Sequence, residues 1–366
     1  MARTKIKGVK NWDAIVVGAG IIGLSLAIEL NKHGLRVLVV EKGEPGREAS
    51  WAAGGMLADF PAETPPALRE LATASARMYP EFVRDLEDES GLKIDLRSVG
   101  TLVLSRVETG HSPAATPAYA LPRPLAELEP SLQIRDAAWR FTALFARERC
   151  VDPRDLTLAA IAAARHRGID FSSGDQVLAV EVANGKASGV RTNKTQFPAG
   201  MVVNCAGAWA GQIGPHTFPT RPVKGQMLSV IMPQKELVRH VVRTSDVYLI
   251  PRSDGRMVIG ATSEEAGFDK QTVPETIQKL RQAAIDLVPK LAEASILEVW
   301  AGLRPGTPDG LPILGATPTR GYFVATGHFR DGILLAPVTA KLMTQIMTGQ
   351  AAEIDVSKFS ADRFAN

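Results

Sequence analysis

Two groups of residues carry types and spacings that could do chemistry. The first is Gly18-Ala19-Gly20-Ile21-Ile22-Gly23, followed by Glu41. Gly18 permits a tight turn, Gly20 leaves room for a pyrophosphate, and Gly23 lets a helix pack close to a strand. Glu41, roughly 20 residues on, can accept hydrogen bonds from a ribose diol. The second is Val299–Gly315, VWAGLRPGTPDGLPILG, with Arg304 among Gly302, Pro305, Gly306 and Pro308. These neighbours suggest a loop that restricts the backbone and holds a guanidinium in place. A planar guanidinium matches a carboxylate with two parallel bonds, which lysine cannot do. The plainer alternatives are a glycine turn without ligand and a surface arginine in a salt bridge.

The elements around the first group support the chemical reading. Asp13–Val17 is a short apolar strand. The period then changes, with Ile22, Leu26 and Leu30 on one helical face and Gly34 closing the helix. Arg36–Val40 is a second buried strand that ends at Glu41. Strand, glycine turn, helix, strand and acid in one compact unit make the motif specific. The helix start offers free amides and the positive end of a dipole to phosphates. The ligand class is an ADP-containing dinucleotide, and this unit alone does not choose between FAD and NAD.

The whole chain fits a globular enzyme. It has 366 residues, 45% hydrophobic and 22% charged, with a formal charge of +3. That suffices for one large domain or two smaller ones. No long basic run exists beyond the first ten residues, so nucleic acid binding lacks an electrostatic footprint. Met1–Lys10 is basic without the apolar core of a signal peptide, and is expected to be a solvated tail. The apolar stretches are too short and too charged to span a membrane. Cys150 and Cys205 lie far apart and are expected to be buried thiols in a reducing cytoplasm. No metal-ligand pattern stands out.

Further along, Glu44–Asp59 starts as a loop and becomes a small-residue helix, able to approach a flat ligand closely. GAGIIG, VVEK and REASWAAGGML together resemble the amino-terminal third of the glycine oxidase branch of the FAD-dependent D-amino-acid oxidases. VWAGLRPGTPDG and GYFVATGHFRDGILLAP match later anchors of that family in the same order, so the resemblance spans Asp13 to Gly349. It implies an α/β protein: a Rossmann-like FAD-binding domain of the glutathione-reductase type, with an α+β substrate domain on a mixed antiparallel sheet. The expected segments are 1–91, 150–219 and 301–366 for the FAD-binding domain, and 92–149 and 220–300 for the substrate domain.

Residue patterns fill in the rest. Pro65–Gly91 is helical, with Pro80 expected to kink or interrupt it. Val99–Ser105 and Ala137–Phe145 are strands, Gly110–Ala120 an exposed loop, and Pro124–Pro130 a short helix. Cys150–Gly168 is a helix entered through Asp152-Pro153. Asp170–Pro198 is a small antiparallel ribbon. Thr220–Met232, Val241–Thr262 and Leu297–Trp300 carry strand patterns, with a helix over Pro274–Leu291. The tail to Asn366 is expected to be a solvated end.

The resemblance implies roles for named residues. The cofactor set is Gly18, Ala19, Gly20, Ile22, Gly23, Glu41, Lys42, Ser50, Gly55, Met56, Leu57, Val177, Gly207, Gly327, His328, Arg330, Gly332, Ile333 and Leu334. Arg304 and Tyr248 would hold the substrate carboxylate, with Arg330 nearby. Asp246 stands where some glycine oxidases carry histidine, and Asp331 where asparagine is common. The helix starting near Ile333 would stabilise negative charge on the flavin pyrimidine. His328 is expected to be a neutral packed residue rather than a base.

The implied activity is oxidative deamination of glycine, sarcosine or a small D-amino acid with noncovalent FAD and oxygen. The products are a 2-oxo acid, ammonia and hydrogen peroxide. The family also implies a link to thiamine biosynthesis and a homo-oligomer, a tetramer by resemblance. Three alternatives stay open: a flavin dehydrogenase passing electrons to a carrier, a non-catalytic FAD-binding module, and an NAD-dependent dehydrogenase.

Overall fold

The computed structural model describes residues 11–61, 63–106, 120–133 and 141–364. Met1–Lys10 and nearly all of the expected loop Gly110–Ala120 lie outside them, as does the first half of Ala137–Phe145. The chain opens as strand β1 (Trp12–Val17), helix α1 (Ile21–Lys32) and strand β2 (Val37–Glu41). A four-residue helix α2 (Ala49–Ala52), strand β3 (Met56–Leu57), helix α3 (Arg69–Ser90) and strands β4 (Leu96–Arg97) and β5 (Thr101–Arg106) follow. Next come helix α4 (Leu125–Leu128), strands β6 (Phe141–Ala146) and β7 (Arg149–Val151), and helix α5 (Pro153–His166). Strands β8 (Asp170–Ser173), β9 (Val177–Ala183), β10 (Lys186–Thr192) and β11 (Gln196–Asn204) lead to β12 (Arg221–Ile231), β13 (Val241–Arg243), β14 (Tyr248–Pro251) and β15 (Arg256–Gly260). Helix α6 (Pro274–Leu287), strands β16 (Ser295–Gly306), β17 (Ile313–Ala316) and β18 (Tyr322–Thr326), and helix α7 (Gly332–Met347) complete the list.

Two large sheets organise these elements. In one the order is β17-β18-β11-β1-β2-β8, with β9 and β10 added antiparallel beyond β11. Strands β8, β2, β1, β11 and β18 are parallel neighbours. The central strands β1 and β2 are near-continuous apolar runs because helices cover the sheet, whereas the edge strand β8 is Asp-Phe-Ser-Ser. Helix α1 is buried almost all round, with Leu24, Leu26, Ala27 and Leu30 fully enclosed. Leu26 and Leu30 of the expected face are fully buried, and Ile22, at its start, is half-buried, packing on the same core while also lining a cavity. The other large sheet runs β16-β12-β15-β14-β13-β5-β6, all antiparallel except β13 with β5. Helix α6 packs on β12 and β15, with Ile277, Leu280 and Ala284 buried. The expected mixed α/β architecture is therefore present. A small third sheet, β3-β7-β4, lies beside them.

Four expectations change. Pro80 does not interrupt α3, which runs unbroken from Arg69 to Ser90. The carbonyl of Ala76, which the missing Pro80 N–H leaves bare, accepts from Arg149 at 3.2 Å instead. The stretch Asp170–Pro198 is not wholly a ribbon, because β8 joins the parallel sheet beside β2. Arg304 sits in no loop but inside β16, opposite Val223 of β12. Pro305 is tolerated there because β16 is an edge strand. The tail after Gly349 packs down, with Phe359 buried and Arg363 bound to Asp309 at 2.8 Å.

Candidate active site

The two large sheets enclose a cavity of about 1120 Å³. At one end lies the glycine turn, set by close backbone packing. Gly18 has φ +104°, and a Cβ there would sit 2.6 Å from the Cys205 carbonyl oxygen. A Cβ on Gly23 would sit 2.0 Å from the Gly18 carbonyl oxygen, so α1 starts where only glycine fits. Glu41 is buried, and its carboxylate accepts from Ala19 N at 2.8 Å and Gly43 N at 2.9 Å. Those bonds fix its carboxylate at the end of β2. Ser50 Oγ accepts from Ile21 N at 2.9 Å, tying α2 to the first turn of α1. Lys42 lies over the Trp209 ring, 3.0 Å from its centroid, and burial lowers its pKa.

The opposite wall is a row of side chains on the second sheet. Arg243, Tyr248, Gly260 and Met227 are successive cross-strand partners on β13, β14, β15 and β12. The absent side chain of Gly260 is replaced by the Tyr248 ring, 2.8 Å from where a Cβ would stand. Gly225 does the same for Arg304, whose Nη1 would lie 2.2 Å from a Cβ there. These two glycines, on the neighbouring strands β12 and β15, leave the space in which a phenol and a guanidinium meet. Arg304 donates to the Thr262 carbonyl at 3.0 Å and forms no ion pair among the described residues. The Tyr248 hydroxyl donates to the Met227 sulfur at 3.6 Å, and the Arg304 guanidinium lies close enough to act on the phenol. Burial raises the Tyr248 pKa and Arg304 partly offsets this, so the phenol keeps its proton at neutral pH and can donate it. A guanidinium and a phenol with spare donors in one cavity suit a carboxylate.

The third wall is the start of α7. Gly327 has φ +72°, and a Cβ there would meet the Thr307 methyl at 2.5 Å. His328 is buried against Thr339 at 3.1 Å, and burial holds its pKa at about 3. It is neutral throughout the physiological range, as expected. Arg330 is exposed, with its guanidinium 5.2 Å from the Phe329 ring centroid. Asp331 caps α7 through its backbone, and burial raises its carboxyl to about 6 while Arg330 pulls the other way.

Most residues expected at the site line this one cavity: Gly18, Gly20, Ile22, Glu41, Lys42, Ser50, Gly55, Met56, Val177, Gly207, Tyr248, Gly327, His328, Arg330, Gly332, Ile333 and Arg304. Ala19, Gly23, Leu57 and Leu334 do not. Leu57 and Leu334 are core side chains. Gly23 and Ala19 shape the turn from behind. Gly225, Met227, Gly260, Arg243 and Glu63 also line the cavity, and sequence reasoning missed them. The glycines facing Arg304 and Tyr248 had only their place in strand patterns as a signal, and that does not mark them.

A family model described as FAD dependent oxidoreductase, DAO, matches residues 13–346. The chain belongs to this family of FAD-dependent oxidoreductases. The bifunctional protein ThiO/ThiG of Trichormus variabilis is 35% identical over 96% of this chain and 55% of its own length. The chain thus spans about half of that bifunctional relative. A glycine oxidase of Pseudomonas aeruginosa is 34% identical over 94% of the chain and 97% of its own length. The crystal structure of glycine oxidase from Geobacillus kaustophilus superposes with a TM-score of 0.88 at 31% identity, covering 97% of this chain and all of that one. The cavity fits FAD: two helix starts open on it, Gly18 and Gly20 line it without side chains to obstruct it, and its volume exceeds that of most drug-sized sites. No helix among the described residues is long and apolar enough to cross a membrane.

Proposed function

We propose that this chain is an FAD-dependent oxidase that deaminates a small amino acid, with glycine, sarcosine and small D-amino acids as the substrate class. The observation that carries this reading is the open pair of donors, Arg304 and Tyr248, in the same cavity as the glycine turn and the start of α7. Their spare N–H and O–H groups suit one carboxylate at the wall facing the cofactor. The glycine oxidase relatives support the same substrate class.

In this reading the turn Gly18–Gly23 takes the pyrophosphate and Glu41 the ribose. Ser50, Gly55 and Met56 lie along the flavin, and the start of α7 faces its pyrimidine carbonyls. Bound FAD supplies the acceptor for the Cα hydrogen and two electrons. The protein then supplies orientation. Arg304 fixes the carboxylate through two parallel bonds, and Tyr248 donates a further one. Held this way, the substrate can turn its Cα–H toward the flavin with no general base on carbon. His328, neutral and packed, stays out of proton transfer. Asp331 puts an ionisable carboxyl where reduced flavin gathers charge. The imine formed would hydrolyse to a 2-oxo acid and ammonia, or methylamine from sarcosine, with peroxide from oxygen.

We also propose the expected division, with 1–91, 150–219 and 301–366 for the FAD-binding domain and 92–149 and 220–300 for the substrate domain, its last boundary moved to Gly306 because β16 runs to that residue. The glycine oxidase and ThiO/ThiG relatives support a place in supplying oxidised glycine for thiamine synthesis. The test is incubation in air with glycine, sarcosine and D- and L-amino acids, with peroxide measured. Peroxide from glycine or D-amino acids bears the reading out. Anaerobic bleaching without peroxide makes the protein a dehydrogenase, and no bleaching with any amine overturns the reading.

A further inference from the structure

The substrate wall continues past Tyr248. Arg243 on β13 is its direct cross-strand partner, so the two side chains leave the same face of the sheet about 5 Å apart at Cβ. Both line the cavity, with Glu63 and the β13–β14 turn Thr244-Ser245-Asp246. Arg243 is almost fully buried and its terminal nitrogens are already committed. Glu148, itself buried, takes Nη1 at 2.9 Å and Nη2 at 3.3 Å. Glu63 takes Nη2 from the other side at 2.6 Å. The remaining nitrogen, Nε, is buried with no partner among the described residues. One guanidinium therefore faces two carboxylates, and Asp246 adds a third acid to the same end of the wall. The guanidinium at the near end, Arg304, has no carboxylate partner among the described residues.

We propose that Glu63 determines specificity. Its carboxylate occupies, on Arg243, the place that a second carboxylate of a substrate would take. This rests on the reading of Arg304 and Tyr248 as the anchor of the first carboxylate. A substrate anchored there carries its substituent along the row toward Arg243. A hydrogen, methyl or other uncharged substituent meets no penalty. A second carboxylate must either displace Glu63 or lie beside Glu63 and Asp246, and like charges at that separation repel. The chemical class selected is monocarboxylic amines, and dicarboxylic ones are rejected.

A matched pair of secondary amines tests this. Sarcosine and iminodiacetate differ only in that one carries N-methyl and the other N-carboxymethyl. Their ether counterparts, methoxyacetate and diglycolate, cannot lose an imine-forming hydride, so their binding is read from the absorption of the bound flavin. Wild type is expected to favour the monocarboxylate of each pair. Glu63→Gln keeps shape and loses charge, and should narrow both ratios roughly tenfold by gains of iminodiacetate and diglycolate alone. Glu63→Asp should keep the wild-type ratios. If Glu63→Gln changes both members of a pair by the same factor, or changes neither, Glu63 is a structural tie and the proposal falls. A shifted ether ratio with no turnover of any amine would sink the oxidase reading and leave this one standing.

Discussion

At the glycine turn the ligand would meet backbone: amides of α1, carbonyls a short distance behind them, and glycines admitted because nothing larger fits. At the substrate wall it would meet side chains: Arg304 from β16 and Tyr248 from β14, each set over a glycine of a neighbouring strand, and Arg243 from β13, paired with Glu63 and Glu148 of two connecting segments. The first region is assembled within about thirty residues, and the second draws on residues 63 to 304. A backbone site should therefore fail as a unit when one atom is added. A side-chain site should lose its functions one at a time.

Gly23→Ala is the severest test. Its Cβ would press 2.0 Å from the Gly18 carbonyl oxygen, and overpacking of this kind costs about 3 kcal/mol. Loss of bound FAD and a lowered Tm are expected. Retained FAD at full occupancy would break the contrast. Arg304→Ala should keep FAD and its spectrum while kcat/KM falls roughly a hundredfold, for about 3 kcal/mol of lost charged hydrogen bonds. An unchanged KM would mean that the carboxylate binds elsewhere. Asp331→Asn sits where the two regions meet. In the fold its carboxyl holds its proton up to about pH 6, above the unfolded value. The stability this contributes is present at low pH and lost as pH rises through 6. The asparagine variant should therefore be more stable than wild type at pH 8, by of order 2 kcal/mol. The gap should close below about pH 4, and denaturant melts across pH will show whether it does. Tyr248→Phe should cost least, about 1 kcal/mol or somewhat under tenfold in KM, with kcat nearly unchanged.

The same contrast explains what the sequence disclosed. The turn, Glu41 and the helix closed by Gly34 were legible because their partners lie close by in the chain. Arg304 was legible as a residue type but not as part of a strand. Gly302, Pro305 and Gly306 look like loop formers, yet each answers to a distant neighbour. A Cβ on Gly302 would strike Ala52 at 2.3 Å, and one on Gly306 would strike Val223 at 2.9 Å. Gly225 and Gly260 stayed silent because the side chains they admit come from other strands. The pairing of Arg243 with Glu63 and Glu148 spans three separate segments, and no local pattern announces it.

Helix α7 carries a proline in its second turn, Pro337, which leaves the Ile333 carbonyl without its helical donor. The buried Tyr79 hydroxyl of α3 takes that carbonyl at 2.5 Å. Ser75, one turn earlier on α3, donates to the Leu334 carbonyl at 2.6 Å. The helix whose start lines the cavity is thus held by a neighbour at a notch in its own ladder. The two residues form one thermodynamic unit. Tyr79→Phe should cost clearly more stability with Pro337 present than in a Pro337→Ala background, where the helix can supply the missing bond itself. The direction of α7 is then inherited from α3, and small shifts of α3 would be felt at the cavity wall.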